Sequence, residues 1–175
     1  MTTNLKTTKF ADGTSIPLDV TDSFWYQMSS PAYCWYNNDI SFKDTYGALY
    51  NWYTVRTKKL CPTGWHVPSD EEWTALTTYL GGQDLAGGKL KEIGTIHWTI
   101  PNKDATNSSG FTALPGGQRY WYGDFYEIGK EGNWWSSSDS NTHYAWSWVL
   151  QYNSSGFGSR ESDGEGVSVR CLRDY

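Results

Sequence analysis

The sequence predicts a single mixed α+β domain in which helices come first and short antiparallel strands follow. Three observations support this fold class. The first half of the chain carries apolar side chains at the three- and four-residue spacing of helices. After about Ile93 the pattern changes to short apolar segments separated by Gly, Asn and Ser clusters. Aromatic residues make up 17% of the 175 residues, so rings must fill much of the core.

The best-marked helix follows Pro68. Ser69 and Glu72 form an S-x-x-E capping box at its start. One face of the helix is then lined by four residues at helical spacing: Trp73, Leu76, Thr77 and Leu80. The pair Gly81-Gly82 supplies the left-handed cap that ends such a helix.

Two other segments carry weaker helical patterns. Residues 44–56 place Leu49, Trp52 and Tyr53 on one side of a predicted helix. A further helical turn is predicted over residues 84–91. Both precede the change of pattern, which supports the order of helices before strands.

Strands are predicted in the C-terminal half. Residues 144–152 alternate with period two, as expected for a half-buried antiparallel strand. Trp146 and Trp148 are predicted to point inward, whereas three neighbours are predicted to point outward: Ser147, Val149 and Gln151. Residues 153–166 are predicted to form a Gly- and Ser-rich loop, and residues 167–172 are predicted to form a closing strand.

Charge and hydropathy limit the function classes. The net charge of −5 argues against nucleic-acid binding, which needs a basic face. The chain contains no apolar run of about 18 residues, so no membrane span is predicted. Residues 1–10 do not resemble a signal peptide. The protein is therefore expected either to stay in the cytoplasm until it is released or to have lost its leader.

The cysteines Cys34, Cys61 and Cys171 are widely spaced and odd in number. No CxxC motif is present, so a structural zinc site is not predicted. We interpret the three as small buried thiols. A disulfide between Cys61 and Cys171 is the alternative if the compartment is oxidising.

Catalytic motifs are missing from the sequence. Serine lies in no G-x-S-x-G elbow, and the glycine pairs precede no GK[ST]. His66 and His97 are predicted to make structural hydrogen bonds, and His143 is better interpreted as a contact residue. The sequence therefore predicts no enzyme activity.

The segment from Gln118 to Asp163 predicts a binding function. It is rich in Tyr, Trp, Ser, Asn and Gly, the composition of antibody-like recognition loops. Aromatic faces also stack on sugar rings, so both protein and glycan ligands fit. Tyr120, Trp121 and Tyr122 are consecutive, so at least one of them must face solvent. Four tryptophans are instead predicted to be core residues: Trp134, Trp135, Trp146 and Trp148.

No cofactor is predicted, and calcium is the one alternative. Glu161, Asp163 and Glu165 alternate in one segment and offer carboxylate ligands. The same residues fit a solvated acidic edge equally well.

Several blocks of the sequence resemble a known family. They are YGALYNW (46–52), CPTGWHVPSD (61–70) with Glu72-Trp73, AGGKLK (86–91), GFTALPGG (110–117), WWSS (134–137) and SVRCLRD (168–174). In this order, and from about Leu5 to the C-terminus, they resemble the Fibrobacter succinogenes major paralogous domain. The resemblance implies a C-type-lectin-like fold related to that of formylglycine-generating enzymes. It does not imply their catalysis, because only Cys171 lies late in this chain and fold alone does not carry function.

The resemblance also implies a class of function. Some members of the family are variable proteins of diversity-generating retroelements, whose codons are rewritten at adenines near the end of the gene. Departures from the family pattern cluster in the C-terminal half, where they mark most of the predicted ligand-binding residues. These are Tyr120, Trp121, Tyr122, Asp124, Glu127, Lys130, Glu131, His143, Tyr144, Ser147, Val149, Gln151, Gly158 and Glu161.

The sequence thus predicts one domain over residues 1–175, with an N-terminal extension (1–22) and a variable ligand-binding region (118–165). The predicted function is display of a binding surface for a protein or glycan on a cell or particle. Ordinary drift at exposed sites also explains such departures. Two alternatives therefore remain: a fixed-specificity carbohydrate-binding surface module, and an enzyme that uses a reactive thiol in a cleft.

Overall fold

The first half of the chain folds into short helices, 3₁₀ turns and two-residue strands. The computed structural model describes residues 1–21, 25–140, 145–162 and 164–174. Within them, the helices are α1 (Lys43–Tyr46), α2 (Trp52–Arg56), α3 (Asp70–Tyr79) and α4 (Gln83–Leu90). The strands are β1 (Tyr33–Cys34), β2 (Leu49–Tyr50), β3 (Trp65–His66), β4 (Gly116–Arg119), β5 (Phe125–Ile128), β6 (Glu131–Asp139), β7 (Ala145–Gln151), β8 (Phe157–Ser162) and β9 (Leu172–Arg173). The 3₁₀ turns are Trp25–Gln27, Tyr36–Asn38 and Ile40–Phe42. The mixed α+β class predicted from the sequence is confirmed.

Strands β4 to β8 form a five-stranded sheet in the order β5-β4-β6-β7-β8. Neighbours are antiparallel except β4 and β6, which meet in parallel at Gly117 and Gly132. Two smaller pairs join β1 to β2 and β3 to β9. The β3–β9 pair brings the C-terminal segment back to the first half of the chain.

One face of the sheet packs against α3 and α4. Trp134, Trp148 and Phe157 from the sheet form a buried cluster with Trp73 from α3 and Leu90 from α4. The rings contact one another at angles, as Trp73 and Phe157 do with centroids 5.5 Å apart. The prediction that rings build the core is confirmed by this cluster. Aromatic side chains suit this role because each buries a large apolar area.

The opposite face is covered at one end only. Trp135 and Ala145 lie in a second buried cluster with Tyr50, Val167 and Val169. The Trp135 indole Nε1 donates to the Tyr50 carbonyl at 2.7 Å, which ties the sheet to the first half of the chain. This second layer decides which sheet residues reach solvent.

The sequence predicts that Ser147 points outward to solvent. This prediction is wrong, because the side chain does not reach solvent. Ser147 is fully buried, and its Oγ lies 2.6 Å from Ser162 Oγ. Its side chain lies on the same face of β7 as those of Val149 and Gln151, but the second layer covers that face at the Ser147 end. Val149 is half-buried and Gln151 is exposed. Of the two predicted inward residues, Trp148 is fully buried and Trp146 is half-buried.

The predicted helix over residues 44–56 is wrong. The chain instead forms α1, then strand β2, then α2. Gly47 ends α1 with a φ of 79°, and a Cβ there would lie 2.7 Å from the Leu5 carbonyl oxygen. Asn51 starts α2, because its side chain accepts a hydrogen bond from the Thr54 amide at 3.0 Å. The packing of the N-terminal segment against Gly47 therefore overrides the helical periodicity.

Helix α3 confirms the prediction from the capping box. The Glu72 amide donates to Ser69 Oγ at 3.3 Å, and the Ser69 amide donates to Glu72 Oε2 at 2.8 Å. Trp73, Thr77 and Leu80 are buried, and Leu76 is half-buried. The positive φ of Gly81 ends the helix, as predicted.

Helix α4 extends the predicted turn to a full helix. Its two glycines are required by close packing. A Cβ at Gly87 would lie 2.1 Å from the Gly156 carbonyl oxygen, and one at Gly88 would lie 2.5 Å from that of Asp104. Gly87 thus lets α4 pack directly on the turn between β7 and β8, and Gly88 lets it pack on the segment that contains Asp104.

The loop predicted over residues 153–166 is wrong in its centre. Residues there form the edge strand β8, which pairs with β7 from Leu150↔Phe157 to Ala145↔Ser162. The alternation of this strand is hard to recognise in the sequence, because Gly158 has no side chain and Gly and Ser are typical of loops. Cross-strand pairing, a non-local interaction, forms the strand.

A disulfide joins Cys61 to Cys171, and Cys34 is a buried free thiol. The interpretation of all three cysteines as thiols is therefore wrong for two of them. The pairing of β3 with β9 aligns His66 with Leu172 and so brings Cys171 next to the segment of Cys61. The predicted closing strand is divided as well, into buried bridges at Val167 and Ser168 and the short strand β9.

Candidate ligand-binding face

Five aromatic rings cluster at the hairpin between β4 and β5. We call this group the aromatic patch: Tyr26, Tyr120, Trp121, Tyr122 and Tyr126. Trp121 lies 5.3 Å from Tyr26 and 5.0 Å from Tyr122 between ring centroids, both in edge-to-face geometry. Tyr26, Trp121 and Tyr126 are 45%, 42% and 40% exposed. The prediction that one of the three consecutive rings faces solvent is confirmed by Trp121.

Arg119 fixes the hairpin of the aromatic patch from its buried side. Its fully buried guanidinium donates from Nε to the Gly123 carbonyl at 3.0 Å and from Nη1 to the Asp19 carboxylate at 3.2 Å. The group also lies 4.3 Å from the centre of the Trp25 ring. These contacts join the hairpin to two N-terminal segments, so the rings are presented on a fixed backbone.

The N-terminal segment completes the patch. The Tyr26 amide donates to the Trp121 carbonyl at 2.8 Å, and the Tyr26 ring packs on Trp121. Tyr26 lies outside the predicted variable region, yet it belongs to the same exposed surface.

A second group of residues lies on the open end of the sheet face. We call it the polar strip: Glu131, Val149, Gln151, Gly158 and Arg160. The register places Val149 opposite Gly158 and Glu131 opposite Gln151, and opposed residues share a face. Four of the predicted ligand-binding residues are therefore neighbours in this strip: Glu131, Val149, Gln151 and Gly158.

Arg160 connects the members of the polar strip. Its Nη2 donates to Gln118 Oε1 and, at 3.1 Å, to Asn133 Oδ1. Its Nη1 lies 3.5 Å from Glu131 Oε2, and Gln151 Nε2 donates to Glu131 Oε1 at 2.8 Å. The charge of Arg160 is thus compensated within the strip.

The aromatic patch and the polar strip lie on the same side of the sheet. Gln118 lies directly opposite Tyr126 of the patch in the β4–β5 pair, and its Oε1 accepts a hydrogen bond from Arg160 of the strip. Gln118 itself is buried, so it offers no contact to a ligand between the two groups.

The structure places the other predicted binding residues in several locations. Glu127 and Lys130 lie at the β5–β6 turn with their charged groups 3.9 Å apart. Asp124 is exposed at the tip of the hairpin, beside the aromatic patch, and its carbonyl accepts from the Tyr120 amide at 2.7 Å. Glu161 lies opposite Trp146, on the other side of the sheet, and accepts from Ser140 Oγ. His143 and Tyr144 lie outside the described residues, and Ser147 is buried.

Two of the three residues considered for calcium lie in the described part of the chain. Glu161 is exposed, Glu165 is half-buried, and Asp163 lies outside the described residues. Among those residues that the structure describes, no three His, Cys, Asp or Glu side chains form a group suited to a metal ion.

The two described histidines make the structural contacts that the sequence predicts. His66 lies between two carboxylates, with Nδ1 2.6 Å from Asp174 Oδ1 and Nε2 3.0 Å from Glu72. These hydrogen bonds, first that of Asp174, raise the pKa of His66 above its usual value. His97 Nδ1 lies 2.8 Å from Glu92 Oε2.

Three residues of the surface are missed by the sequence prediction: Tyr26, Tyr126 and Arg160. Residues 125–128 show no period-two alternation that could have placed Tyr126 on an exposed face, because Phe125 and Ile128 both pack on the core and Glu127 has a φ of 64°. Arg160 is hidden in a segment predicted as a loop. Tyr26 carries no local signal, because its contact with Trp121 exists only in the folded chain.

Fold and surface together define a mixed α+β domain with a ring-rich core and an exposed aromatic and polar face. The chain belongs to the Fibrobacter succinogenes major domain family, whose model matches residues 1–173. Neither a curated protein nor a solved structure matches the chain. Within the described residues, no helix has the length and apolar character needed to cross a membrane.

Proposed function

We propose that this protein is a display domain of the C-type-lectin type that binds a protein or glycan through the aromatic patch and the polar strip. The observation that carries the proposal is the aromatic patch itself. It presents exposed rings on a backbone fixed by Arg119, and its Tyr126 lies on the same side of the sheet as the polar strip. Rigid Tyr and Trp side chains give large contact area for little loss of entropy, and adjacent amides adapt their hydrogen bonds.

The chemistry of the cysteines favours binding over catalysis. Burial raises the pKa of the Cys34 thiol to about 12, so this sulfur is poorly suited to act as a nucleophile. Cys61 and Cys171 are bonded to each other. The proposal therefore assigns the cysteines a structural role and leaves the exposed surface to bind.

We further propose that this surface is diversified by a retroelement. The support is geometric: Gln151 is exposed, Val149 is half-buried, and a Cβ added to Gly158 would meet no atom within 4 Å. Such positions accept many side chains without disturbing the core. By contrast, Trp134 and Trp148 lie on the opposite face of the sheet and are fully buried.

The test of diversification is the DNA that flanks the gene. We expect a near-copy of the 3′ end that differs almost only at adenines, beside a reverse transcriptase gene. The adenine positions should fall in codons of those members of the aromatic patch and the polar strip that belong to the predicted variable region (118–165). Adenine differences concentrated in the codons of Trp134, Trp148 and their buried neighbours would contradict the proposal. If the flanks hold neither element, the fixed-specificity carbohydrate module is the better hypothesis.

The test of binding uses labelled protein on a printed glycan array and on an array of cell-surface proteins. We expect saturable signal on at least one feature, reduced about tenfold or more in Trp121→Ala. Tyr79→Ala is the matched control, because Tyr79 is 86% exposed on α3, away from the patch. A signal that Trp121→Ala leaves unchanged would show that the patch is not the site.

A further inference from the structure

A groove of about 330 Å³ lies at one end of the polar strip. The first turn of α4 forms one wall with Gln83 and Asp84, and the sheet forms the other. From the sheet, Val149, Gln151, Gly158 and Arg160 line the groove. Small-molecule sites span roughly 300 to 1,000 Å³, so this groove is near the lower limit and could hold one ring of a ligand.

Gly158 keeps the floor of the groove open. Its φ lies outside the left-handed region, and an added Cβ would meet nothing within 4 Å. Strand geometry therefore does not require glycine here. The half-buried Val149 opposite it offers an apolar surface beside this space.

The charges around the groove disfavour an anionic ligand. Arg160 lies 3.5 Å from Glu131 and donates to Gln118 and Asn133, so its positive charge is already compensated. The exposed Asp84 adds a negative charge on the opposite wall. A carboxylate or phosphate would meet no excess of positive charge.

The polar side chains of the groove match hydroxyl groups. Gln83, Gln151 and Ser159 carry groups that can both donate and accept hydrogen bonds. Gln151 uses its amide nitrogen to donate to Glu131 at 2.8 Å, so its carbonyl oxygen remains the acceptor for a ligand. Each sugar hydroxyl also donates and accepts, and the C–H face of a pyranose ring suits the apolar surface of Val149.

We propose that this groove binds one neutral pyranose unit of a glycan. The inference rests on the proposed function and deepens it, since it names the ligand class at one end of the same face. The aromatic patch, near the other edge of the five-stranded sheet, would then contact a more distant part of the glycan.

The test is a titration by saturation-transfer NMR with methyl mannoside, methyl galactoside and methyl glucoside. Methyl glucuronoside is the charged comparison, and a blocked tetrapeptide is the peptide comparison. We expect at least one neutral glycoside to bind with a millimolar Kd and the other two probes to bind more weakly. Gly158→Ile, which fills the groove, should weaken that binding about tenfold. Gly158→Ala, the matched control, should change it less than about threefold.

Three outcomes would overturn the proposal. They are saturation transfer to none of the neutral glycosides, equal binding by Gly158→Ile and the wild type, and preferred binding of the glucuronoside or the tetrapeptide. If Trp121→Ala abolished array binding and Gly158→Ile left it intact, the groove proposal would be contradicted and the proposed function would be supported. Thermal melting of each variant confirms that any loss is local.

Discussion

The same face of the central sheet is covered at one end and open at the other. Trp135 and Ser147 lie opposite each other in the β6–β7 pair and are fully buried. Val149 and Gln151 occupy the same phase of β7 but are half-buried and exposed. The second layer, built around Tyr50 and Val167, causes the difference. Alternation along a strand therefore defines a face, and distant segments decide whether that face can bind a ligand.

The largest expected effect comes from removing a ring at the covered end. Trp135→Ala should lower the free energy of unfolding by about 3–5 kcal/mol, because it leaves a cavity between the two layers. Trp121→Ala removes the same side chain from the aromatic patch, where it is 42% exposed. We expect that variant to lose about 1 kcal/mol or less. Urea denaturation measures both, and equal losses would contradict the distinction between covered core and open face.

The next prediction compares the loss of stability when either of two arginines, Arg119 or Arg160, is replaced. Arg119→Met should cost about 3 kcal/mol, since it leaves the Asp19 carboxylate buried without its cation. Arg160→Met in the polar strip should cost about 1 kcal/mol, because the Arg160 side chain is 34% exposed. Amide hydrogen exchange at Gly123 and Tyr26 should become faster in the first variant and stay unchanged in the second. Unchanged exchange in both would mean that Arg119 does not fix the hairpin.

Local signals in the sequence predicted the elements that local interactions form. The capping box of Ser69 and Glu72 and the Gly81-Gly82 cap define α3 within one short segment. Strand β7 was predicted because large rings mark its buried phase. The break at Gly47 and the pairing of Cys61 with Cys171 depend on contacts between distant segments, so the local pattern was misleading there.

The candidate site was predictable to a similar extent. Three consecutive rings cannot all be buried in a strand, so at least one was predicted to be exposed, and Trp121 is that ring. The buried state of Ser147 could not be foreseen, because it depends on the second layer. Arg160 was hidden by the Gly and Ser of its strand, although it connects the members of the polar strip.

A third pair of variants tests the two ends of the same face with one new side chain. Ser147→Tyr should cost about 3 kcal/mol or more, because the hydroxyl sits against Ser162 with no room for a ring. Gly158→Tyr should change stability by no more than about 0.5 kcal/mol, because its Cβ would point into open space. Thermal melting compares the two. A strongly destabilised Gly158→Tyr would show that the open end is more constrained than its geometry indicates.

The smallest expected effect lies outside the sheet, at His66. Its folded-state pKa is raised above 6.5 by the hydrogen bond to Asp174 and then by Glu72. The protonated ring is therefore favoured by folding, so this stabilisation is complete below about pH 6.5 and is lost as pH rises through the higher folded pKa. Because these side chains are partly exposed, we expect a change of only about 1 °C in Tm between pH 6 and pH 8.5, relative to His66→Gln. Asp174→Asn removes the largest cause of the shift and should reduce this pH dependence. If the wild type gained stability relative to His66→Gln as pH rose, the sign of the pKa shift would be wrong.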